Sequence, residues 1–355
     1  MLSPHRRHCT RAGRSPSHYC RGSLDLHIIL FASTLLTGHL RCCRQKFVTI
    51  GNLGSTDTNL PAPNEAATAI AVEAYAPWRR PDIDVAARRR GFDRMLPEPA
   101  ADVSVTEDSI GGVEGRWVSV PESGEATVLY LHGGGGILGS SYGYRDLASR
   151  IARSGGARVF VPDYALAPEN PFPAGLNDAR AAYNALVQEL GGRTEKLVMA
   201  GDSAGGGMAV STIATVIAEK KPLPAAVVAL SPFTDMTLSG ESMTRFGEVD
   251  PLISRTAAEQ MAGTYLAGHN ARDPRVSPVF ADFAGFPPLL VQVGACELLL
   301  DDSVRLAEAA KAAGGQVELH IADGLFHVFH MFAAQLPEAQ QALETVGAFI
   351  RMYTS

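Results

Sequence analysis

Leu197-Val198-Met199-Ala200-Gly201-Asp202-Ser203-Ala204-Gly205-Gly206 is the stretch whose reading decides the fold. An apolar run breaks at a glycine and resumes as Ala, Met, Val and Ile at helical spacing, the pattern of strand, sharp turn and helix. The G-x-S-x-G sequence at that turn pushes a serine hydroxyl out at the carboxyl end of a sheet. Glycines flank the serine because neighbouring backbone crowds the turn. The following helix, expected over 204–219, aims its free N–H groups at the same place, where developing negative charge is stabilised. Ser203 is therefore the candidate nucleophile, and the rest of the chain should supply a base, an acid and an oxyanion hole.

With 355 residues, 46% of them hydrophobic and 19% charged, the chain is long enough for one large α/β domain with an appendage. Residues 1–46 carry eight lysines and arginines against one aspartate, or +7, which leaves −13 for the remainder of a chain whose total is −6. An acidic body argues against a nucleic-acid partner. Cys9, Cys20, Cys42 and Cys43 fall in the basic leader, and Cys296 alone is left for the body. One cysteine makes no disulfide framework, so a reducing cytoplasm is the expected location.

The apolar run Ile28–Leu36 has the length of a signal-peptide core and is too short to span a bilayer. Asp25 and His27 crowd its start, and His39-Leu40-Arg41 stands where small residues should mark cleavage. Residues 1–47 read as a disordered or mis-started leader, with neither export nor stable membrane insertion expected. His5, His8, Cys9, His18 and Cys20 lack zinc-ligand spacing, so no metal is expected.

Residues 48–100 read as a linker followed by two cap helices, expected over 65–75 and 83–95, and 101–355 as the catalytic domain. Strand patterns at 102–106 and 116–120 flank Gly111-Gly112 and suggest an edge hairpin. Near-continuous apolar runs follow at 127–131, 158–161, 197–200, 226–230, 289–293 and 317–321. Helical stretches at 144–153, 177–190, 204–219 and 303–313 separate most of them. Buried strands alternating with helices mean an α/β fold with a mostly parallel eight-stranded sheet. The segment at about 233–285 shows helical character at 233–246 and 257–267 and reads as a cap insertion after the sixth strand.

Directly after the run at 127–131 comes His132-Gly133-Gly134-Gly135-Gly136. Side-chain-free residues let a backbone approach a carbonyl and present N–H groups to it. A phosphate-cradling loop would need a following Lys-Ser/Thr or a G-x-G-x-x-G, and neither is present. His327 follows the last strand and is the expected base, with His330 as competitor at the start of the last helix. Glu297, Asp301 and Asp302 follow the penultimate strand. Glu297 is favoured as the acid because Asp301 and Asp302 resemble N-cap and first-turn residues of the next helix. Asp301 stays open as the alternative.

Together these residues resemble the bacterial hormone-sensitive-lipase-like esterases of the α/β-hydrolase fold. The resemblance is carried by His132-Gly133-Gly134-Gly135, Asp163-Tyr164-Ala165-Leu166-Ala167-Pro168-Glu169 with Phe172-Pro173-Ala174, Gly201–Gly206 and His327-Val328-Phe329-His330, and it covers residues 65–352. It implies Ser203 as nucleophile, His327 as base, the carboxylate at Glu297 as acid, and oxyanion donors on Gly134, Gly135 and Ala204. Most members carry Asp as the acid, so Glu297 is a departure. Gly136 stands where an aromatic residue is common, and its lack of a side chain should widen the pocket. His132, Asp163, Tyr164 and Glu169 read as braces, and Asp250 as a cap anchor.

The function so implied is a serine carboxylesterase that hydrolyses short- to medium-chain acyl esters, with Ile137 and Leu138 lining the pocket and no cofactor. The alternatives are a deacetylase or amidase on a small acetylated metabolite and, in another class, a non-catalytic small-molecule receptor. The terminal strand at 317–321 is the expected edge for a homodimer.

Overall fold

Near-continuous apolar runs make the middle of the sheet. Strands β3 (Ala126–Leu131), β5 (Leu197–Asp202), β6 (Ala226–Leu230) and β7 (Leu289–Gly294) are buried at every position. They lie in one eight-stranded sheet with β1 (Ser104–Ile110), β2 (Val113–Ser119), β4 (Ala157–Pro162) and β8 (Val317–Ala322), in the order β1-β2-β4-β3-β5-β6-β7-β8. Strands β3 to β8 run parallel, and β2 runs antiparallel to both β1 and β4. This is the α/β-hydrolase architecture. The structure is a computed structural model that describes residues 62–76 and 83–355, all within the unit Gln45–Ser355. The leader and the first part of the linker lie outside the described residues.

Gly111 and Gly112 take φ +64° and +81°, the left-handed pair that a two-residue hairpin turn requires. Both hairpin strands therefore run right up to the turn and are longer than their alternation alone indicates.

Helices cover the two faces of the sheet: α3 (Arg145–Gly155) and α9 (Pro337–Thr354) pack together on one, and α4 (Ala174–Glu189), α5 (Ser203–Ala218) and α8 (Leu300–Ala312) lie on the other. The two cap helices are α1 (Glu65–Tyr75) and α2 (Val85–Asp93). Helix α2 begins two residues later than its pattern suggests because Asp84 caps it, accepting from Ala87 N at 2.7 Å.

The insertion after β6 holds α6 (Ser242–Arg245) and α7 (Arg255–Leu266). Helix over 233–246 shrinks to four residues for a local reason. Asp235 accepts from Thr237 N at 2.9 Å and from the Ser239 hydroxyl, so side chain replaces backbone as the bonding partner.

Where the strand order reverses at β3, the carboxyl ends of β3, β5, β6, β7 and β8 open on one crevice, the usual ligand position in such sheets. Gly347 of α9 faces the Ser154 carbonyl so closely that a Cβ there would lie 2.2 Å from its oxygen. An exposed helical Gly→Ala change stabilises by about 1 kcal/mol. Gly347→Ala is expected to do the opposite, lowering stability by about 1–3 kcal/mol through forced separation of α3 and α9, as read by urea unfolding.

Candidate active site

Ser203 opens α5 with φ +51°, a left-handed conformation that costs a non-glycine residue about 1–3 kcal/mol and recurs where function requires it. The flanking glycines permit it. A Cβ at Gly205 would lie 2.1 Å from Leu131 O, and one at Gly201 would lie 2.6 Å from the Gly205 carbonyl. The turn can exist only with hydrogen at both positions.

The Ser203 hydroxyl lies 2.9 Å from His327 Nε2, and Nδ1 of the same ring lies 3.1 Å from Glu297 Oε1. Glu297 Oε2 accepts from Ser231 Oγ and from Gly294 N, each at 2.7 Å. Ser231 Oγ in turn accepts from Val328 N at 3.1 Å. One serine thus ties the carboxylate to the loop that carries the imidazole. Glu297 is fully buried, and its two carboxylate oxygens make three hydrogen bonds, to Ser231, Gly294 and His327, in place of water. Burial lowers the pKa of His327. The bond to Glu297 and the charges of Glu297, Asp250 and Asp202 outweigh that, leaving the ring above the ordinary imidazole value.

The competing carboxylates are engaged elsewhere. Asp301 accepts from Ser242 N at 2.9 Å. Asp302 accepts from Thr234 N and Asp235 N, both at 2.8 Å, and burial pushes its pKa up to about 7. Both lie in the first turn of α8, where Leu299 is the N-cap. The capping expectation is therefore corrected: each side chain fastens the insertion instead of its own helix. His330 belongs to a short 3-10 turn, Phe329–Phe332, and not to the last helix, which begins at Pro337. It is buried with Nε2 at 3.0 Å from Gln292 Oε1, and burial holds it neutral with a pKa of about 3.

Gly134, Gly135, Ser203 and His327 line a cavity of about 430 Å³, walled by Tyr75 and Phe92 of the cap helices and by Ile253, Ala257 and Met261 of the insertion. Gly134, Gly135 and Gly136 have φ between +69° and +110°, so the loop turns its backbone toward the nucleophile. Ala204 lies beside Gly135 on a smaller void behind the loop. Leu138 lines the main cavity. Ile137 is not among the residues lining it. Both N–H groups donate to Gly134 O, and the tight turn leaves Ile137 packed in the hydrophobic core. Gly136 does not widen the pocket either, since a Cβ there would lie 2.7 Å from the ring of Tyr265 on α7. The missing aromatic is replaced by one from the insertion.

The glycine loop is held from behind. Asp202 accepts from Tyr130 OH (2.9 Å), Tyr144 OH (2.9 Å) and Gly133 N (3.0 Å), and its burial raises its pKa to about 6. Only glycine fits at 133, where a Cβ would meet Asp202 Oδ2 at 2.2 Å. His132 is no base for Ser203: Nδ1 lies 2.8 Å from Gly133 O and the ring stacks on Tyr164 at 4.3 Å. Tyr164 OH donates to His132 O at 2.7 Å, and Asp163 accepts from Ser141 N at 2.6 Å. Arg89 of α2 donates to Ile137 O at 2.8 Å while Glu169 holds its guanidinium at 3.0 and 2.7 Å.

The family description of the alpha/beta hydrolase fold matches residues 128–331. The chain is similar to an acetyl-hydrolase of Streptomyces hygroscopicus, 38% identical over 78% of this chain and 93% of that one. It is also similar to an esterase of Acinetobacter venetianus, 34% identical over 72% of this chain and 84% of the other. The crystal structure of an esterase from the bacterial hormone-sensitive lipase family superposes with TM-score 0.78 at 39% identity, covering 82% of this chain and 97% of that one. The chain belongs to this family. It is a carboxylic ester hydrolase of the α/β-hydrolase fold.

In this esterase Ser231 was missed from sequence, although its position directly after β6 gave the signal, since ligands bind at the carboxyl ends of such strands. Ser231→Ala is expected to lower kcat about tenfold with little change in KM, because it frees Glu297 Oε2 and Val328 N together. Steady-state kinetics on a chromogenic ester checks this.

Proposed function

We propose that this esterase hydrolyses short- to medium-chain acyl esters, with Ser203, His327 and Glu297 as its triad and Gly134, Gly135 and Ala204 as oxyanion donors. The observation that carries the reading is the unbroken chain of contacts from Ser203 Oγ through His327 to Glu297, set in a cavity whose walls include Phe92, Leu138, Leu252, Ile253 and Met261. Ser203 Oγ attacks the ester carbonyl while His327 Nε2 takes its proton, and the backbone N–H groups stabilise the oxyanion. The tetrahedral intermediate expels the alkoxide, which leaves with that proton. Water then attacks the acyl-enzyme, His327 accepts a proton from it, and the acid departs as Ser203 is reprotonated. Glu297 fixes the imidazole tautomer and stabilises the imidazolium without taking a proton.

The name acetyl-hydrolase of one relative and the position of Met261, whose sulfur would lie 2.6 Å from a Cβ on Gly135, both support a short acyl group. A small-molecule ester is the partner this cavity suits. Cytoplasmic residence belongs to the same proposal. It is supported by the cysteine usage: Cys296 is the one cysteine among the described residues, which leaves them no disulfide. Among the described residues no helix is long and apolar enough to cross a membrane. A homodimer through β8, the half-buried edge strand of the sheet, is also proposed, and sedimentation velocity at micromolar concentration tests it.

The decisive experiment is hydrolysis of p-nitrophenyl esters of rising acyl length. Activity is expected to peak at short chains, to fall by about 10³-fold or more in Ser203→Ala, and to fall by about 10²–10⁴-fold in Glu297→Gln. Asp301→Asn should keep wild-type kcat to within a few-fold. Strong activity in Glu297→Gln together with its loss in Asp301→Asn would transfer the acid role to Asp301.

A further inference from the structure

Asp250 sits in the insertion, lines the same cavity as Ser203 and His327, and is buried. Its Oδ1 accepts from Leu252 N at 2.9 Å and Ile253 N at 3.3 Å, both in the insertion. Its Oδ2 accepts from Leu298 N at 3.2 Å, the residue directly after Glu297. One carboxylate therefore joins the cap to the loop that carries the triad acid. We propose that Asp250 is a positioning residue for proton transfer at His327: it fastens the cap insertion to the Glu297 loop and adds its negative charge to those that Glu297 and Asp202 set against the imidazolium. This inference rests on the esterase reading.

The groups facing Asp250 are His327 from the loop after β8 and Glu297 and Cys296 from the loop after β7. Arg88 and Glu248 line the same cavity. Burial and the like charge of Glu297 push Asp250 up to about 6, against the pull of His327. In return its charge raises the pKa of His327. As His327 takes the Ser203 proton, the new cation thus meets the charges of Glu297, Asp250 and Asp202, and the proton-transfer step is eased.

The sign of the effect is fixed. Removing the Asp250 charge lowers the pKa of His327, so the base stays unprotonated to lower pH. The acid limb of kcat/KM then moves down, even as kcat falls because the imidazolium is less stabilised. A purely structural strap would lower stability or kcat and leave the limb in place.

The test is the pH dependence of kcat/KM on one p-nitrophenyl ester for the wild type, Asp250→Asn and Asp250→Glu. Asp250→Asn keeps the volume and one acceptor oxygen but not the charge; its limb is expected to move down by about one pH unit, with kcat down about tenfold. Asp250→Glu keeps the charge and should keep the wild-type limb. A wild-type limb shared by Asp250→Asn would overturn the proposal. Titration of the His327 ring by NMR should give a lower pKa in Asp250→Asn than in the wild type, and an unchanged pKa would also overturn the proposal. No turnover by the folded wild type would remove the esterase reading itself, a result distinct from either.

Discussion

A carboxylate without access to water is the constraint on which this structure turns. Glu297 is fully buried, and an unpaired charge in that position would cost several kcal/mol. Its partners come from three strand ends: Ser231 after β6, Gly294 at the end of β7 and His327 after β8. Meeting the needs of one charged group therefore aligns half the carboxyl edge of the sheet. The insertion joins through Asp250, Asp301 and Asp302, each of which accepts backbone N–H groups across the junction between insertion and sheet domain. Cap placement and acid placement are thus fixed by the same set of bonds.

The oxyanion side follows a different rule, close backbone approach. Gly133, Gly201 and Gly205 each stand where a single methyl group would overlap a neighbour by more than side-chain adjustment can relieve. The loop has no side chains of its own with which to pack. Asp202 therefore holds it from below and Met261 and Tyr265 of α7 cover it from above. Two aspartates, Asp202 and Asp250, add to the effect of Glu297 and lift the base above its ordinary range.

The sheet, its helices and the chemistry-bearing loops were legible because each rests on local pattern. Apolar runs marked buried strands, and glycine clusters marked close approach. Ser203, Glu297 and His327 each follow a strand whose carboxyl end opens on the crevice, so chain position alone picked them out, although the contacts run from Ser203 through His327 to Glu297. Contacts between segments distant in sequence left less trace. Nothing near Gly136 signals that Tyr265, 129 positions later, fills the space beside it, so the expected widening did not occur. Ile137 and Leu138 are equally apolar neighbours, and nothing in the sequence says that Leu138 alone of the two lines the cavity. Asp301 and Asp302 fit a capping pattern, yet they serve backbone N–H groups in the insertion. Composition cannot separate a helix cap from a tertiary tie.

The most direct measurement of the account is labelling with a serine-reactive alkyl phosphonate, followed by mass spectrometry of the peptides. Reaction needs an activated hydroxyl, an oxyanion hole and an oriented imidazole, but no particular substrate. The account predicts one equivalent of adduct on Ser203, formed rapidly in the wild type and in Asp301→Asn and far more slowly in Glu297→Gln. Adduct on another residue, or a rate indifferent to Glu297→Gln, would contradict it.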